Sequence, residues 1–287
     1  MAFPYVSTEL GEVLGNGMKS PDKELESVSL VSNVTKMVLV VEYNGRKYYG
    51  FQLQICLPTI QGEVEKALEK LTGERVRLIA ASRTDTGVHA RGQVVGFRTE
   101  SLLTPQTFIK GLNYYLPRDI AVKEAYKADD SFNVRRHAIS RGYNYYILNS
   151  PTRSPIREGF CHLVRGKIDI EAMNPASQAL IGEHDFASFA SSLGLEIRNT
   201  RRRVYKAKVE RDGELVVFNM VANSFLPHQV RNTVGALIRV GLGKMTVEEF
   251  HSIMEAKKPG LAGPAAPACG LCLMKVKYEG PFGGEWQ

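Results

Sequence analysis

Hydrophobic spacing predicts regular secondary structure from about residue 36 onward. The run Lys36 to Tyr43 is rich in valine and leucine and ends at an Asn-Gly turn, which predicts a strand. From Ile60 to Leu71 the apolar residues recur at intervals of three and four, which predicts an amphipathic helix. Thr59 and Gly73 stand where the N-cap and the C-cap of that helix are expected.

The first series of elements continues with two strands, a helix and a strand. Short β-rich runs at Arg75 to Ala81 and Gln93 to Phe97 flank a polar loop. Thr104 and Pro105 begin a predicted helix, and the run from Ile120 to Tyr126 predicts another strand. The resulting order, βαββαβ, is that of a ferredoxin-like unit.

A second series follows in nearly the same order. Alternation at Tyr143, Tyr145 and Ile147 predicts a strand, and Ile170 to Ile181 predicts a helix that Pro175 should bend. The remaining predicted elements are a hairpin at Asp212-Gly213, a helix with Val230, Val234, Leu237 and Ile238 on one face, a helix opened by a capping box from Thr246 to Glu249, and a strand from Leu271 to Tyr278. The order is βαββα(α)β.

The two series together predict the fold. We expect an α+β protein in which two ferredoxin-like βαββαβ halves form one mixed, mostly antiparallel sheet, with helices packed on it and a central active-site cleft. The predicted halves are residues 35–139, which carry the polar loop, and residues 140–287, which complete the cleft. Residues 1–34 lack sustained periodicity and are predicted to be a flexible N-terminal extension.

Composition favours a folded protein that binds a polyanion. Among 287 residues, Lys and Arg outnumber Asp and Glu by 37 to 30, which gives a net charge of +7. The arginines cluster at Arg135, Arg136 and Arg141, at Arg153, Arg157 and Arg165, and at Arg198, Arg201, Arg202 and Arg203. No run approaches the roughly 18 apolar residues of a membrane helix, and the first residues lack a targeting pattern. We therefore expect a cytoplasmic protein without a membrane partner.

Four cysteines fit that compartment as reduced thiols. Cys269 and Cys272 form a C-x-x-C pair, but no second pair completes four zinc ligands, and the pair opens an alternating apolar run. Ordinary buried thiols are favoured over a metal or redox site.

The densest polar cluster is Ser82-Arg83-Thr84-Asp85-Thr86-Gly87-Val88-His89-Ala90. It resembles the catalytic loop of the TruA family of tRNA pseudouridine synthases. Other stretches resemble that family in the expected order: Gly50-Phe51-Gln52 with Gln54, Thr59-Ile60-Gln61, Arg141-Gly142-Tyr143-Asn144-Tyr145, His184-Asp185-Phe186 with Ser188-Phe189, Phe225-Leu226, Val230-Arg231-Asn232 with Val234-Gly235, and Gly270-Leu271. The sequence departs from the family pattern at Ala81-Ser82, where Gly-x-Gly is more usual, and at Pro227-His228-Gln229, where a basic and methionine stretch is more usual.

The resemblance implies which residues act. Asp85 would be the catalytic carboxylate, Arg231 would form the ion pair that orients it, and Tyr143 would pack against the target uracil. Leu271 would help to close the pocket. Because a base must leave its stack to reach the carboxylate, other side chains must brace the vacated space or contact the RNA backbone. The candidates for that role are Arg83, His89, Arg91 and Gln52.

The resemblance also implies the substrate and the assembly. The expected substrate is the anticodon arm of tRNA, with uridines 38, 39 and 40 as targets, and the expected assembly is a homodimer. The expected reaction isomerises uridine to pseudouridine without net oxidation, so we predict no metal, nucleotide or other cofactor.

Two other functions fit parts of the sequence. Asp-Thr-Gly, here Asp85 to Gly87, is also the signature of aspartic proteases, but such enzymes have few helices, whereas at least four helical patterns occur here. A non-catalytic tRNA-binding or tRNA-folding protein could keep the same body. The presence of Asp85, Tyr143 and Arg231 together favours the enzyme.

Overall fold

The computed structural model describes residues 34–191 and 199–280. The predicted extension, residues 1–34, therefore lies outside the described residues except for Val34. No helix in the described ranges is both long enough and apolar enough to cross a membrane.

The described chain contains ten strands and five α-helices. The first six are β1 (Thr35–Tyr43), α1 (Ile60–Thr72), β2 (Ile79–Ala80), β3 (His89–Thr99), α2 (Pro105–Tyr115) and β4 (Ile120–Ala128). The others are β5 (Ala138–Asn149), β6 (His162–Val164), α3 (Ile170–Gln178), β7 (Gly182–Asp185), β8 (Arg201–Asp212), β9 (Leu215–Ala222), α4 (Gln229–Gly241), α5 (Val247–Ala256) and β10 (Leu271–Tyr278). Short 3₁₀ turns lie at Gly45–Lys47, Pro155–Arg157, Ala187–Phe189 and Ala268–Gly270.

All ten strands form one sheet, ordered β4-β1-β3-β10-β5-β9-β8-β7, with β2 on β3 and β6 on β5. Within it, β4-β1-β3-β2 and β10-β5-β9-β8 each have the strand order of a ferredoxin-like unit. Pairing is antiparallel except between β3 and β10 and between β5 and β6. The predicted α+β class and mixed, mostly antiparallel sheet are confirmed, and β6 and β7 are additions that the pattern did not predict.

The two series meet where β3 lies parallel to β10. Only two residue pairs form this junction, Cys272 with His89 and Leu273 with Ala90. The junction brings the loop before β3 beside the start of β10, and the sheet continues through it without a break. The predicted division at residue 139 falls at the start of β5 and stays a prediction.

Three predicted boundaries differ from the structure, each for a local reason. β2 contains two residues instead of seven, because α1 side chains bind the preceding backbone: Gln61 Nε2 donates to Leu78 O and Leu78 N donates to Glu65 Oε1. α3 ends at Gln178 because the chain tightens into three-residue turns after Pro175. β3 begins at His89, four residues early, because β10 pairs with it there.

Helix termini follow the expected capping chemistry. The Thr59 hydroxyl accepts from Gly62 N, and Gly73 ends α1 in the left-handed conformation. In α5, Thr246 and Glu249 form both bonds of a capping box. The apolar face of α1 buries Val64 and Leu68 completely, each contributing about 2 kcal/mol of transfer free energy.

Candidate active site

The Asp85 loop connects β2 to β3 and is fixed by backbone hydrogen bonds, one within the loop and one from Phe51. Phe51 N donates to Thr84 O at 3.0 Å, and Val88 N donates to Asp85 O at 3.1 Å. Gly50 permits this approach: its φ is +85°, and a Cβ there would lie 2.8 Å from Thr84 O. The Gly50-Phe51 stretch, which resembles the family in sequence, therefore holds the Asp85 loop in place.

Asp85 opens into a cleft of about 460 Å³ between the two halves of the sheet. Four of the residues predicted to act with Asp85 also line it: Arg83, Tyr143, Arg231 and Leu271. Further arginines at the cleft are Arg135, Arg141 and Arg202. Loop residues from the first half thus face α4 and the start of β10 from the second.

The Asp85 carboxylate contacts two side chains at the beginning of α4. Arg231 Nη1 lies 3.4 Å from Asp85 Oδ2, so the pair implied by the resemblance is present. His228 Nε2 lies 3.3 Å from the same oxygen. Arg231 is held in turn by its Nε, which donates to Ala266 O at 2.8 Å. The carboxylate is 36% exposed and therefore accessible from the cleft.

Tyr143 lies in β5 with its hydroxyl 2.8 Å from Ser82 Oγ. Its ring meets Phe225 edge-on, with ring centroids 5.2 Å apart. Burial raises the pKa of Tyr143 to about 12, more than the Ser82 hydrogen bond lowers it, so the hydroxyl is protonated at neutral pH. The side chain can offer an apolar ring and a neutral hydroxyl, but no charge.

Arg141 has a structural role, although it lines the same cleft. Its two terminal nitrogens donate to the carbonyl oxygens of Ala81, Arg135, Ala138 and Asn223. Burial lowers the pKa of Arg141. These bonds tie the lead-in of the Asp85 loop to β5 and to the end of β9.

Gln52 lies beside the cleft in an adjoining groove. That groove is also lined by Arg83 and Arg135, which reach into the Asp85 cleft as well, so the two depressions share a wall.

His89 and Arg91 line a separate cavity of about 640 Å³, which Asp85 does not reach. His89 is buried: its Nδ1 accepts from Gly45 N at 3.2 Å, and its Nε2 lies 2.9 Å from Gly159 O. Burial lowers the pKa of His89, and its ring stacks on Phe160 at 5.0 Å. The structure therefore does not bring these two residues to Asp85, and their contact with the RNA substrate stays a prediction.

His228 is the site residue that sequence reasoning missed. The Pro227-His228-Gln229 stretch stood out only as a departure from the family pattern. Its contact with Asp85 depends on a left-handed backbone at His228, φ +59°, immediately before α4. Neither spacing nor composition reveals such a conformation.

Burial affects the thiols of three of the four cysteines. All four are free, and burial raises the pKa of Cys161, Cys269 and Cys272, the last to about 12. Among residues 34–191 and 199–280, no group of three or more His, Cys, Asp or Glu side chains is arranged to hold a metal ion.

Comparison with known proteins identifies the family. The family model for tRNA pseudouridine synthase matches residues 39–135 and 176–279, more than half of the chain. The chain belongs to the tRNA pseudouridine synthase family. This finding confirms the predicted family and the predicted class of enzyme, an isomerase that forms pseudouridine in tRNA, and it overturns the aspartic protease alternative.

Individual relatives of the family agree along most of their length. tRNA pseudouridine synthase A of Actinobacillus succinogenes is 42% identical over 251 residues, 86% of this chain and 94% of the relative. The protein of the same name from Francisella tularensis subsp. novicida is 41% identical, over 84% of this chain and 93% of the relative. The one from Thermoanaerobacter sp. is 40% identical, over 84% and 99%.

Among solved structures, the archaeal box H/ACA sRNP Nop10-Cbf5 complex matches 86% of this chain and 49% of that chain. The sequence identity is 13% and the TM-score is 0.31, values too low to relate the two proteins further.

Proposed function

We propose that the Asp85 cleft isomerises uridines 38, 39 and 40 in the anticodon arm of tRNA, with Asp85 as the reacting carboxylate. The observation that carries this proposal is the Asp85 carboxylate itself. It is one-third exposed, contacts Arg231, and faces a cleft lined with arginines and with Tyr143.

The chemistry needs little beyond that carboxylate. The C1′–N1 bond breaks, the uracil turns while it is held, C1′ bonds to C5, the C5 proton leaves to solvent, and N1 takes up a proton. Attack on the sugar, attack on the base, and abstraction of a sugar proton all use one carboxylate at this place. Because the target base must leave its stack in the RNA to reach Asp85, the Tyr143 ring serves as its packing surface in the cleft, and Leu271 closes the pocket.

Arginines beside Asp85 support contact with RNA. Arg83 and Arg135 connect the cleft to the groove that contains Gln52, so we assign Arg83 and Gln52 to the RNA backbone on that side. Phosphate contacts release counterions, so the affinity for tRNA should fall roughly tenfold or more between about 50 and 200 mM salt. A filter-binding series that shows no dependence on salt would contradict this assignment.

The family resemblance supports two further proposals. We expect a homodimer, in which one tRNA contacts both subunits, and we expect the protein in the cytoplasm, where its substrate is. Sedimentation analysis that finds only monomer at assay concentrations would contradict the dimer.

The test of the proposed function is tritium release from C5-labelled uridine in unmodified tRNA, without added cofactor. Wild type should release tritium, and Asp85→Asn should release none above background while binding tRNA with similar affinity. Asp130→Asn, an exposed carboxylate paired with Arg98, is the matched control and should behave as wild type. Release by Asp85→Asn would refute the role of Asp85. Binding without release by wild type would instead favour the tRNA-folding function.

A further inference from the structure

His228 precedes α4 in a conformation that does not serve the helix. Its φ and ψ are +59° and 5°, in the left-handed region that residues other than glycine rarely adopt. As the N-cap it would be expected to bind a backbone N–H of the first turn, yet its side chain makes no capping hydrogen bond. Helix formation therefore does not explain either the backbone or the direction of this side chain.

The side chain points instead to the Asp85 carboxylate, and it shares a single oxygen with Arg231. His228 Nε2 and Arg231 Nη1 lie 3.3 and 3.4 Å from Oδ2. In the part of the chain that the structure describes, no hydrogen bond or ion pair reaches Oδ1. The two oxygens of the carboxylate are thus in different situations.

Two contacts on Oδ2 restrain the Asp85 carboxylate more than a single contact would. Arg231 alone would restrain Oδ2 from one direction, whereas a second group three residues earlier restrains the same oxygen from another direction and so limits rotation about the Cβ–Cγ bond. Arg231 is restrained by Ala266 O, and His228 by its backbone at the helix start. The first turn of a 13-residue helix also favours a negative charge placed beside it.

We propose that His228 is a positioning residue that, together with Arg231, binds Asp85 Oδ2 and so presents Oδ1 to the target nucleotide. This inference rests on the proposed function of Asp85. The His228 and Asp85 side chains are 38% and 36% exposed, so bound tRNA can cover both and strengthen a contact that is long in the free protein.

The test compares His228→Leu with His228→Gln. Both variants keep a side chain on the left-handed backbone, but only glutamine can donate to Oδ2. His228→Leu should lower kcat, the rate at saturating tRNA, about tenfold. It should change KM, measured over a series of tRNA concentrations, less than twofold, as expected for loss of a partly exposed donor to a charged group. Glutamine should restore kcat to within about threefold of wild type. His184→Leu, a histidine on edge strand β7, is the control and should match wild type.

Three outcomes are distinguishable if Asp85→Asn is measured in the same series. If Asp85→Asn is inactive and His228→Leu keeps wild-type kcat, the positioning role is refuted and the function of Asp85 stands. If leucine and glutamine lower kcat equally, or if the loss falls on KM, donation to Oδ2 is refuted. If Asp85→Asn is active, the proposed function of Asp85 is refuted, and the proposed role of His228 is refuted with it. Thermal melting of each variant shows that only folded protein is compared.

Discussion

One short motif supplies side chains to two different regions of the molecule. Asp85 reaches the cleft, where its side chain is 36% exposed and its Oδ1 accepts no hydrogen bond from any residue that the structure describes. His89, at the start of β3, is 5% exposed, and both of its ring nitrogens are used by backbone groups of other segments. Unused hydrogen-bonding capacity on an accessible side chain, more than membership in the motif, separates the group that can react from the group that supports the loop.

The arginines repeat this contrast. Arg231 gives one bond to the chain, at Ala266 O, and keeps the rest of its guanidinium for Asp85. Arg141 gives both terminal nitrogens to carbonyl oxygens of the chain. Substitutions in the two regions should therefore affect different properties, turnover in the first and stability in the second.

The largest effect is expected at Arg231. Arg231→Gln should lower kcat about 100-fold, because the carboxylate loses its charged partner in the cleft, while the melting temperature stays near that of wild type. Arg231→Lys keeps the charge, so its kcat should lie between the values of wild type and Arg231→Gln. Tritium release under saturating tRNA measures this, and an unchanged kcat would remove the distinction between the two regions.

Arg141→Met should leave the chemistry in place but weaken the fold. Four carbonyl oxygens, one of them buried and three partly buried, lose their donor, so the free energy of unfolding should fall by about 3 kcal/mol. Urea unfolding measures the loss, and kcat of the remaining folded protein should exceed that of Arg231→Gln. A variant as stable as wild type would show that water replaces the guanidinium without cost.

His89 should make stability depend on pH. Burial lowers its folded-state pKa, so between that pKa and the unfolded value near 6.5 the unfolded chain binds more protons. Stability should therefore be highest above pH ~6.5 and should fall as the pH drops, because protonation at Nδ1 breaks the bond from Gly45 N. His89→Gln should reduce that slope in unfolding experiments. His162, whose pKa burial also lowers, remains in both proteins, so a slope that His89→Gln leaves unchanged would assign the effect elsewhere.

The smallest effect concerns the backbone of His228. His228→Gly should leave the free energy of unfolding unchanged or raise it by about 0.5 kcal/mol, since glycine adopts the left-handed region without strain. Gln229→Gly, one residue into α4, is the control and should cost more than about 1 kcal/mol, because it also removes the buried acceptor of Leu226 N. If glycine at 228 destabilises as much as the control, the contact with Asp85 contributes to folding and not only to the site.

Local chemistry made much of the fold predictable. Thr59, Gly73 and the Thr246 capping box mark helix ends because their bonds are made within one turn of the chain. The Asp212-Gly213 hairpin is found for the same reason, with Gly213 at φ +57°. The truncated β2 could not be predicted, because the side chains that take over its backbone belong to α1 and lie thirteen or more residues away.

The site was predictable as a set of residues but not as a geometry. Family resemblance pointed to Asp85, Tyr143 and Arg231, and all three meet at the cleft. It could not separate Arg83, which lines that cleft, from His89, because the direction of each side chain depends on where the loop ends and β3 begins. That boundary is set by β10, which is distant in sequence.

The junction between β3 and β10 has a consequence for how the protein is made. Asp85, Tyr143 and Arg231 leave the ribosome before β10 does, since β10 is the last strand of the described chain. Until it pairs with both β3 and β5, no strand joins the two series within the described sheet. The nascent chain therefore carries these three side chains without their alignment until β10 has been translated and has paired with both series.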